Sequence, residues 1–223
     1  MSANLTISVI FEDEYLIIAN KPAGLVVNSE EEVDNLRELL SKQIACDLYV
    51  THRIDQVVSG ICLLAKSKEV AAKMNKLFQS VDLDKKYLAV VSSGKAESAA
   101  SIKRLILHDK KRKKAFVNER LGKEASLFYT KLMSSDRYDL LEIEIVHGRF
   151  HQIRCLLANV GMPIKGDVKY GFKRGNKGRF IHLHANCLTF RHPFSGAIVS
   201  FSAPLPSETL WQFFNTRIQG ETS

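Results

Sequence analysis

Short apolar runs separated by polar breaks occupy most of the chain, and their period changes several times along it. Ile7 to Phe11 and Tyr15 to Ala19 predict two strands joined by the acidic turn Glu12-Asp13-Glu14. Asn20-Lys21-Pro22-Ala23-Gly24 predicts a turn, and Leu25-Val26-Val27 a further short strand. The pattern becomes helical over Val33 to Ala45, with Leu36, Leu39 and Leu40 on one face. Tyr49 to Asp55 leads, as strand or loop, into the charged stretch His52-Arg53-Ile54-Asp55 and then Ser59-Gly60. The uninterrupted apolar run that follows, Ile61-Cys62-Leu63-Leu64-Ala65, fits a strand in a sheet core. Ser67 is placed to cap a helix over Lys68 to Gln79, with Val70, Met74, Leu77 and Phe78 inward. Lys85 to Val91 predicts the next strand.

Ala125 to Ser134 and Tyr138 to Val146 read as a strand pair across Ser135-Asp136-Arg137, the second alternating Leu141, Ile143 and Ile145 against Glu142 and Glu144. His151 to about Val160 returns to a helical period, with Ile153, Leu156, Leu157 and Val160 inward and Gly161 as its stop. An irregular loop follows. Phe180 to Ala185 and Asn186 to Phe190 are strand material, Pro193 to Gly196 is a turn, and Ala197 to Phe201 completes a hairpin. Ser207 is placed to cap a last helix reaching about Ile218. Many strands with scattered helices predict an α+β fold with a largely antiparallel sheet.

Composition narrows this picture. The 223 residues suit one domain or two small subdomains. A formal net charge of +8 favours a polyanionic partner, RNA or DNA ahead of a membrane surface. The excess is uneven: Lys103, Arg104 and the run Lys110-Lys111-Arg112-Lys113-Lys114 crowd into Ser92 to Lys123, which reads as a solvated loop or a phosphate contact. No apolar run reaches the roughly 20 residues that span a bilayer. The first residues lack a secretory pattern, and the separated Cys46, Cys62, Cys155 and Cys187 read as reduced thiols of a cytosolic protein.

The candidate chemistry lies in two charged clusters. Asp55 follows Arg53 on a loop ahead of the apolar run. The loop reads either as an active-site loop or as a surface turn with an Asp–Arg ion pair. The second cluster is His147-Gly148-Arg149-Phe150-His151-Gln152-Ile153-Arg154, in which His151 and Arg154 share a helix face. A guanidinium from Arg154 beside Asp55 keeps that carboxylate ionised, fit to act as a nucleophile or to stabilise a sugar cation. His182 and His184 alternate on a predicted strand, a geometry compatible with a metal, but no further ligand has matching spacing. The chain has no Gly-x-Ser-x-Gly elbow and no Gly-rich nucleotide loop.

These residues carry a family likeness. The chain resembles the RluA family of RNA pseudouridine synthases over nearly its whole length. The likeness runs in order through Lys21-Pro22-Ala23-Gly24-Leu25-Val26-Val27, His52-Arg53-Ile54-Asp55 to Ser59-Gly60, Lys86-Tyr87-Leu88-Ala89-Val90-Val91 and Gly148 to Arg154. It continues through Gly161 to Asp167 with Tyr170-Gly171, then Leu183-His184-Ala185, Phe190 to Pro193 and Ala203 to Pro206. Val58 and Phe150 stand where threonine is usual, and Leu156 and Asn28 where histidine is common.

The resemblance implies one catalytic domain, residues 1–223, of two subdomains sharing one sheet, with no separate N-terminal RNA-binding domain. It implies conversion of uridine in transfer or ribosomal RNA to pseudouridine, without cofactor or metal, by a cytoplasmic monomer. Asp55 is the implied catalytic carboxylate, acting on the ribose or assisting elimination to a glycal. Tyr87 is implied to stack on the flipped uracil, and Arg154 to pair with Asp55. Arg53, implied to fill the vacated stack, is joined in contacting RNA by His52, Arg149, His151, Gln152 and Lys21. Three other readings stand beside this one: a non-catalytic RNA-binding or assembly factor on the same fold, a metal-dependent hydrolase using His182 and His184, and another carboxylate-dependent glycosidic enzyme such as an RNA base-exchanging transferase.

Overall fold

The two opening runs pair as their alternation predicts. In the computed structural model, which describes residues 5–31, 33–80 and 82–221, strand β1 (Ser8–Glu12) lies antiparallel to β2 (Leu16–Lys21). The turn between them is held by Asp13, whose Oδ1 accepts the N–H groups of Tyr15 and Leu16 at 2.8 and 2.7 Å. Thereafter come α1 (Leu36–Ile44), β3 (Tyr49–Val50), β4 (Ser59–Ala65), α2 (Lys68–Gln79), β5 (Leu83–Ser92), β6 (Ala99–Asp109), β7 (Lys114–Val117), β8 (Lys123–Ser134) and β9 (Tyr138–Ile145). The chain closes with α3 (Gln152–Asn159), a single 3-10 turn (Val168–Tyr170), β10 (Leu183–Arg191), β11 (Ile198–Ser202) and α4 (Thr209–Glu221).

The chain forms two units. One comprises 1–85 with 184–206, the other 86–183 with 207–223. In the first unit the strand order is β1-β2-β4-β10, with β11 on β10 and β3 on β4. Every pairing there is antiparallel except β4 with β10. Strand β4 is buried along its whole length, which is why its sequence shows no alternation. Its Ile61 and Leu63 pack with Leu16, Ile18, Leu188, Phe190 and the inward Val70 and Met74 of α2. Ser67 caps α2 as predicted, its Oγ accepting the Val70 N–H at 3.2 Å.

Two expectations fail in this unit. Leu25-Val26-Val27 is not a strand, because the carbonyls of Val26 and Val27 receive the first N–H groups of α1, from Leu36 and Arg37, at 2.9 and 3.1 Å. Helix α1 starts at Leu36 rather than Val33, because Asn35 is its cap and accepts the Glu38 N–H at 3.1 Å.

Gly60 is fixed by geometry. Its φ is +111°, and a Cβ there would run into the carbonyl of Ala185 on the neighbouring β10. Gly60→Ala is therefore expected to destabilise by about 2–4 kcal/mol, from left-handed strain plus displaced backbone. The urea midpoint reads this, and an unchanged midpoint refutes the close approach.

In the second unit the order is β5-β9-β8-β6-β7. Strands β8 and β9 match the predicted pair across Ser135-Asp136-Arg137. The basic stretch is no solvated loop: β6 and β7 form a hairpin on the edge of β8, and the cations Lys110 to Lys113 occupy its tip. Helix α3 packs on this hairpin, with its Ile153, Leu156 and Leu157 buried, and ends at Gly161, φ +77°.

Helix α4 is capped by Glu208, whose Oε2 accepts the N–H groups of Leu210 and Trp211, rather than by Ser207. The expected strand from Phe180 begins only at Leu183, so His182 precedes β10. Its Nε2 donates to Glu208 at 2.9 Å while Asn176 donates to its Nδ1 at 3.2 Å. Among the described residues no helix is long and apolar enough to cross a membrane.

Candidate active site

The Asp55 loop is held at both ends. At its start Thr51 donates to the Leu63 carbonyl at 2.6 Å, and His52 Nε2 accepts the Leu63 N–H at 3.0 Å while its ring stacks on Phe78. At its end Gly24 N–H donates to the Gln56 carbonyl at 2.7 Å, and Gln56 Nε2 returns a bond to the Gly24 carbonyl at 3.0 Å. Ile54 and Val58 point into the core, and Val58 N–H closes the turn on the Asp55 carbonyl at 3.0 Å. The loop's one carboxylate, Asp55, is thus carried half-buried on anchored backbone, with Arg53 exposed two residues before it.

Lys21 corrects an expectation. Although expected to contact RNA, it is fully buried, with Nζ donating to the carbonyls of Pro22, Leu25 and Gln56 at 2.9, 2.7 and 3.4 Å. Burial lowers its pKa to about 8, against the pull of the Asp55 charge. It ties the Pro22–Leu25 turn to the Asp55 loop. His52 also has an internal role: burial, with the Lys85 charge, lowers its pKa to about 3 and keeps the ring a neutral acceptor for β4.

Ser59 and His184 close the same unit from below. Ser59 Oγ lies 2.8 Å from His184 Nδ1, and His184 Nε2 lies 3.4 Å from the Ala203 carbonyl. The carbonyl can only accept, so Nε2 carries a proton. Burial lowers the His184 pKa to about 4. In the unfolded chain that imidazole protonates near 6.5, so its contribution to stability is complete above about pH 6.5 and drains away toward pH 4. The expected loss is about 1.4 kcal/mol per pH unit in that window. Urea unfolding of the wild type and His184→Asn at several pH values reads it, and equal slopes for the two proteins contradict it.

In the second unit β5 carries Tyr87, half-buried, beside Lys86, which pairs with Glu142 and Glu144 at 2.9 and 3.2 Å. Helix α3 presents Arg154, buried, against Asp167: Nε to Oδ2 at 2.7 Å and Nη2 to Oδ1 at 2.9 Å. This two-point pairing fixes the plane of the guanidinium. Asp167 sits after Gly166, φ +87°, on a turn closed by its N–H to the Ile164 carbonyl at 2.9 Å. The Arg154 guanidinium also lies over the Tyr170 ring at 5.0 Å.

Sequence reading assigned no role to Asp167 or Tyr170. The available signal was their place in the quoted run Gly161 to Gly171.

Gln152, expected to face RNA, is also buried. It accepts the Arg149 N–H at 3.0 Å and donates to the Ser126 carbonyl at 2.8 Å, tying the start of α3 to β8. Arg149 is exposed, with Nε on the Glu124 carbonyl at 3.2 Å. His151 takes a left-handed backbone, φ 52°, with Nδ1 on Tyr170 Oη at 2.9 Å. Among the described residues, no three His, Cys, Asp or Glu side chains gather as a metal site.

Residues 15–159, which hold the Asp55 loop, Tyr87 and Arg154, match the family model for RNA pseudouridylate synthase. The chain belongs to that family. The enzyme is therefore a pseudouridine synthase, an isomerase. It is 29% identical to the tRNA pseudouridine synthase C of Vibrio parahaemolyticus, covering 97% of both proteins. It is 32% identical to the Ribosomal large subunit pseudouridine synthase C of Rickettsia prowazekii, covering 91% of this chain and 69% of the relative. In fold it is similar to Human RNA Pseudouridylate Synthase Domain Containing 4, with a TM-score of 0.75 at 24% identity over 94% of this chain and 93% of that one. The α+β expectation holds.

Proposed function

We propose that the synthase isomerises uridine in transfer or ribosomal RNA, with Asp55 as the catalytic carboxylate. In this rearrangement the bond from uracil N1 to ribose C1′ breaks, the ring turns, and C5 bonds to C1′. The C5 proton leaves and N1 regains one, so no oxidant or cofactor enters the balance. What the reaction demands is an ionised carboxylate for the electron-poor sugar and a surface that retains the detached base.

The observation that carries this reading is the anchoring of the Asp55 loop on both sides, within a chain of this family. A half-buried acid on backbone fixed by Thr51, His52, Gln56 and Lys21 has its geometry set before substrate arrives. In this reading Tyr87 is the stacking surface for the uracil, and Arg154, its plane fixed by Asp167, is the proposed partner of the Asp55 carboxylate. Arg53, exposed on the same loop, fills the place of the flipped base. The names of the relatives support transfer and ribosomal RNA as substrate classes.

Mapping pseudouridines in cellular RNA with and without the gene tests this. One or more sites in transfer or ribosomal RNA vanish on deletion if the reading holds. An unchanged map in both RNA classes refutes it.

A further inference from the structure

The second unit carries an aromatic stack that the mechanism does not use. Phe150 stacks on His108 at 3.8 Å between ring centroids and on His151 at 3.9 Å, with interplanar angles of 22° and 17°. His108, on β6, is the exposed end of this column, and Phe150 is itself 37% exposed. The inner end is fixed: Tyr170 Oη accepts the Ala115 N–H at 2.8 Å and is hydrogen-bonded to His151 Nδ1 at 2.9 Å. Burial, with the Arg154 charge, lowers the His151 pKa to about 3.

Two cationic segments meet at this column. The β6–β7 tip holds Lys110, Lys111, Arg112 and Lys113, all exposed, directly after His108 and Asp109. Lys114 brings that hairpin onto the Tyr170 ring, with Nζ 5.0 Å from its centroid. From Tyr170 departs a second basic loop, with Lys173, Arg174, Lys177 and Arg179 exposed and no acid between Val168 and Phe180. That loop is braced rather than loose, since Asn176 accepts from Lys165 at 2.5 Å and donates to the Phe180 carbonyl at 3.0 Å. Crowded like charges repel one another and are relieved by a polyanion. An exposed ring stack beside cations is the arrangement that holds unpaired nucleic acid, base on ring and phosphate on cation.

We propose that His108 is the platform on which an unpaired base of the RNA substrate stacks, while Lys110 to Lys113 and Lys173 to Arg179 hold the phosphates on either side. The proposal rests on the synthase reading only in taking RNA as the ligand. His108 is a binding residue, not a catalytic one.

The test uses the full chain and a 12-nucleotide oligouridylate carrying one 2-aminopurine, a probe of about the length a single-strand site covers. Stacking on His108 quenches the probe. His108→Ala is expected to lose the quenching and bind about 10-fold more weakly, whereas His108→Phe keeps both near wild type. Replacing Lys110 and Lys113 by Ala lowers the slope of log affinity against log salt by about 1.4. The same holds for Lys173 and Arg174. With transfer RNA as substrate, His108→Ala raises KM about 10-fold with kcat unchanged.

Unchanged quenching and affinity in a folded His108→Ala overturn the platform, even where the wild type forms pseudouridine. Loss of quenching in His108→Ala alongside a wild type that forms no pseudouridine keeps the platform and refutes the synthase reading.

Discussion

Asp55→Asn is expected to stop pseudouridine formation while leaving the RNA complex intact. The substitution keeps size and shape, turns one acceptor into a donor, and removes the negative charge that the electron-poor ribose requires. Turnover should fall by about a thousand-fold or more, the scale of removing a group that acts on the reacting bond. Affinity for RNA should stay within a few-fold, because phosphate contacts dominate binding and Asp55 is no cation. The fold should survive, since Thr51, His52 and Lys21 hold the loop's backbone independently of the substituted group. Filter binding, single-turnover kinetics and urea unfolding read the three quantities separately. Activity near wild type removes Asp55 from the reaction. Lost activity together with a collapsed fold assigns it a structural role instead.

The second large effect is expected at Asp167, which sequence reading passed over. Arg154 and Asp167 are both buried, at 5% and 1% side-chain exposure, and bonded through two nitrogens and two oxygens. Removing Asp167 takes two charge-assisted bonds from a buried guanidinium. Asp167→Ala should therefore cost about 3–5 kcal/mol, a large part of the roughly 5–15 kcal/mol of a whole domain. Its melting temperature and urea midpoint read the loss. The kinetic consequence is distinct: with Asp167 gone the guanidinium plane of Arg154 is no longer fixed, so kcat falls further than KM rises. Arg154→Lys keeps the charge but not the planar fork, and should reproduce the kinetic loss with less damage to the fold. A double variant no worse than either single shows that the two act as a pair. A wild-type midpoint in Asp167→Ala contradicts the account.

How much of this was legible in the sequence follows from the kind of signal each element carries. Helix α2 was readable from cap to end, because Ser67, the apolar period and the break at Ser80 all act locally. The β8–β9 pair was equally plain, since alternation and a polar turn agree. The start of α1 was misread, because Val33 suits a helix period while Asn35 competes as a cap. Leu25 to Val27 looks like a strand, but its carbonyls serve α1, a use that no local pattern reveals. The β6–β7 hairpin was hidden because cations occupy its exposed positions and tip, so its buried Ile102, Ile106 and Ala115 did not stand out.

The site divides the same way. Asp55, Tyr87 and Arg154 stand in motifs whose order along the chain is a sequence property. The internal roles of Lys21, His52 and Gln152 are not, because Lys and Gln are mostly exposed and nothing in their neighbours announces burial. Asp167 lies 13 residues beyond Arg154, and only the turn at Gly166 brings the two together.

The central claim is that this protein moves uracil from nitrogen to carbon attachment on RNA ribose. Tritium at uracil C5 is released only when C5 gives up its hydrogen, so its release from uridine-labelled, unmodified transfer and ribosomal RNA reports that step. The account predicts stoichiometric release from at least one of these RNAs by the purified wild type, without added metal or cofactor, and none by Asp55→Asn. No release by a folded wild type from either RNA, or equal release by Asp55→Asn, contradicts it.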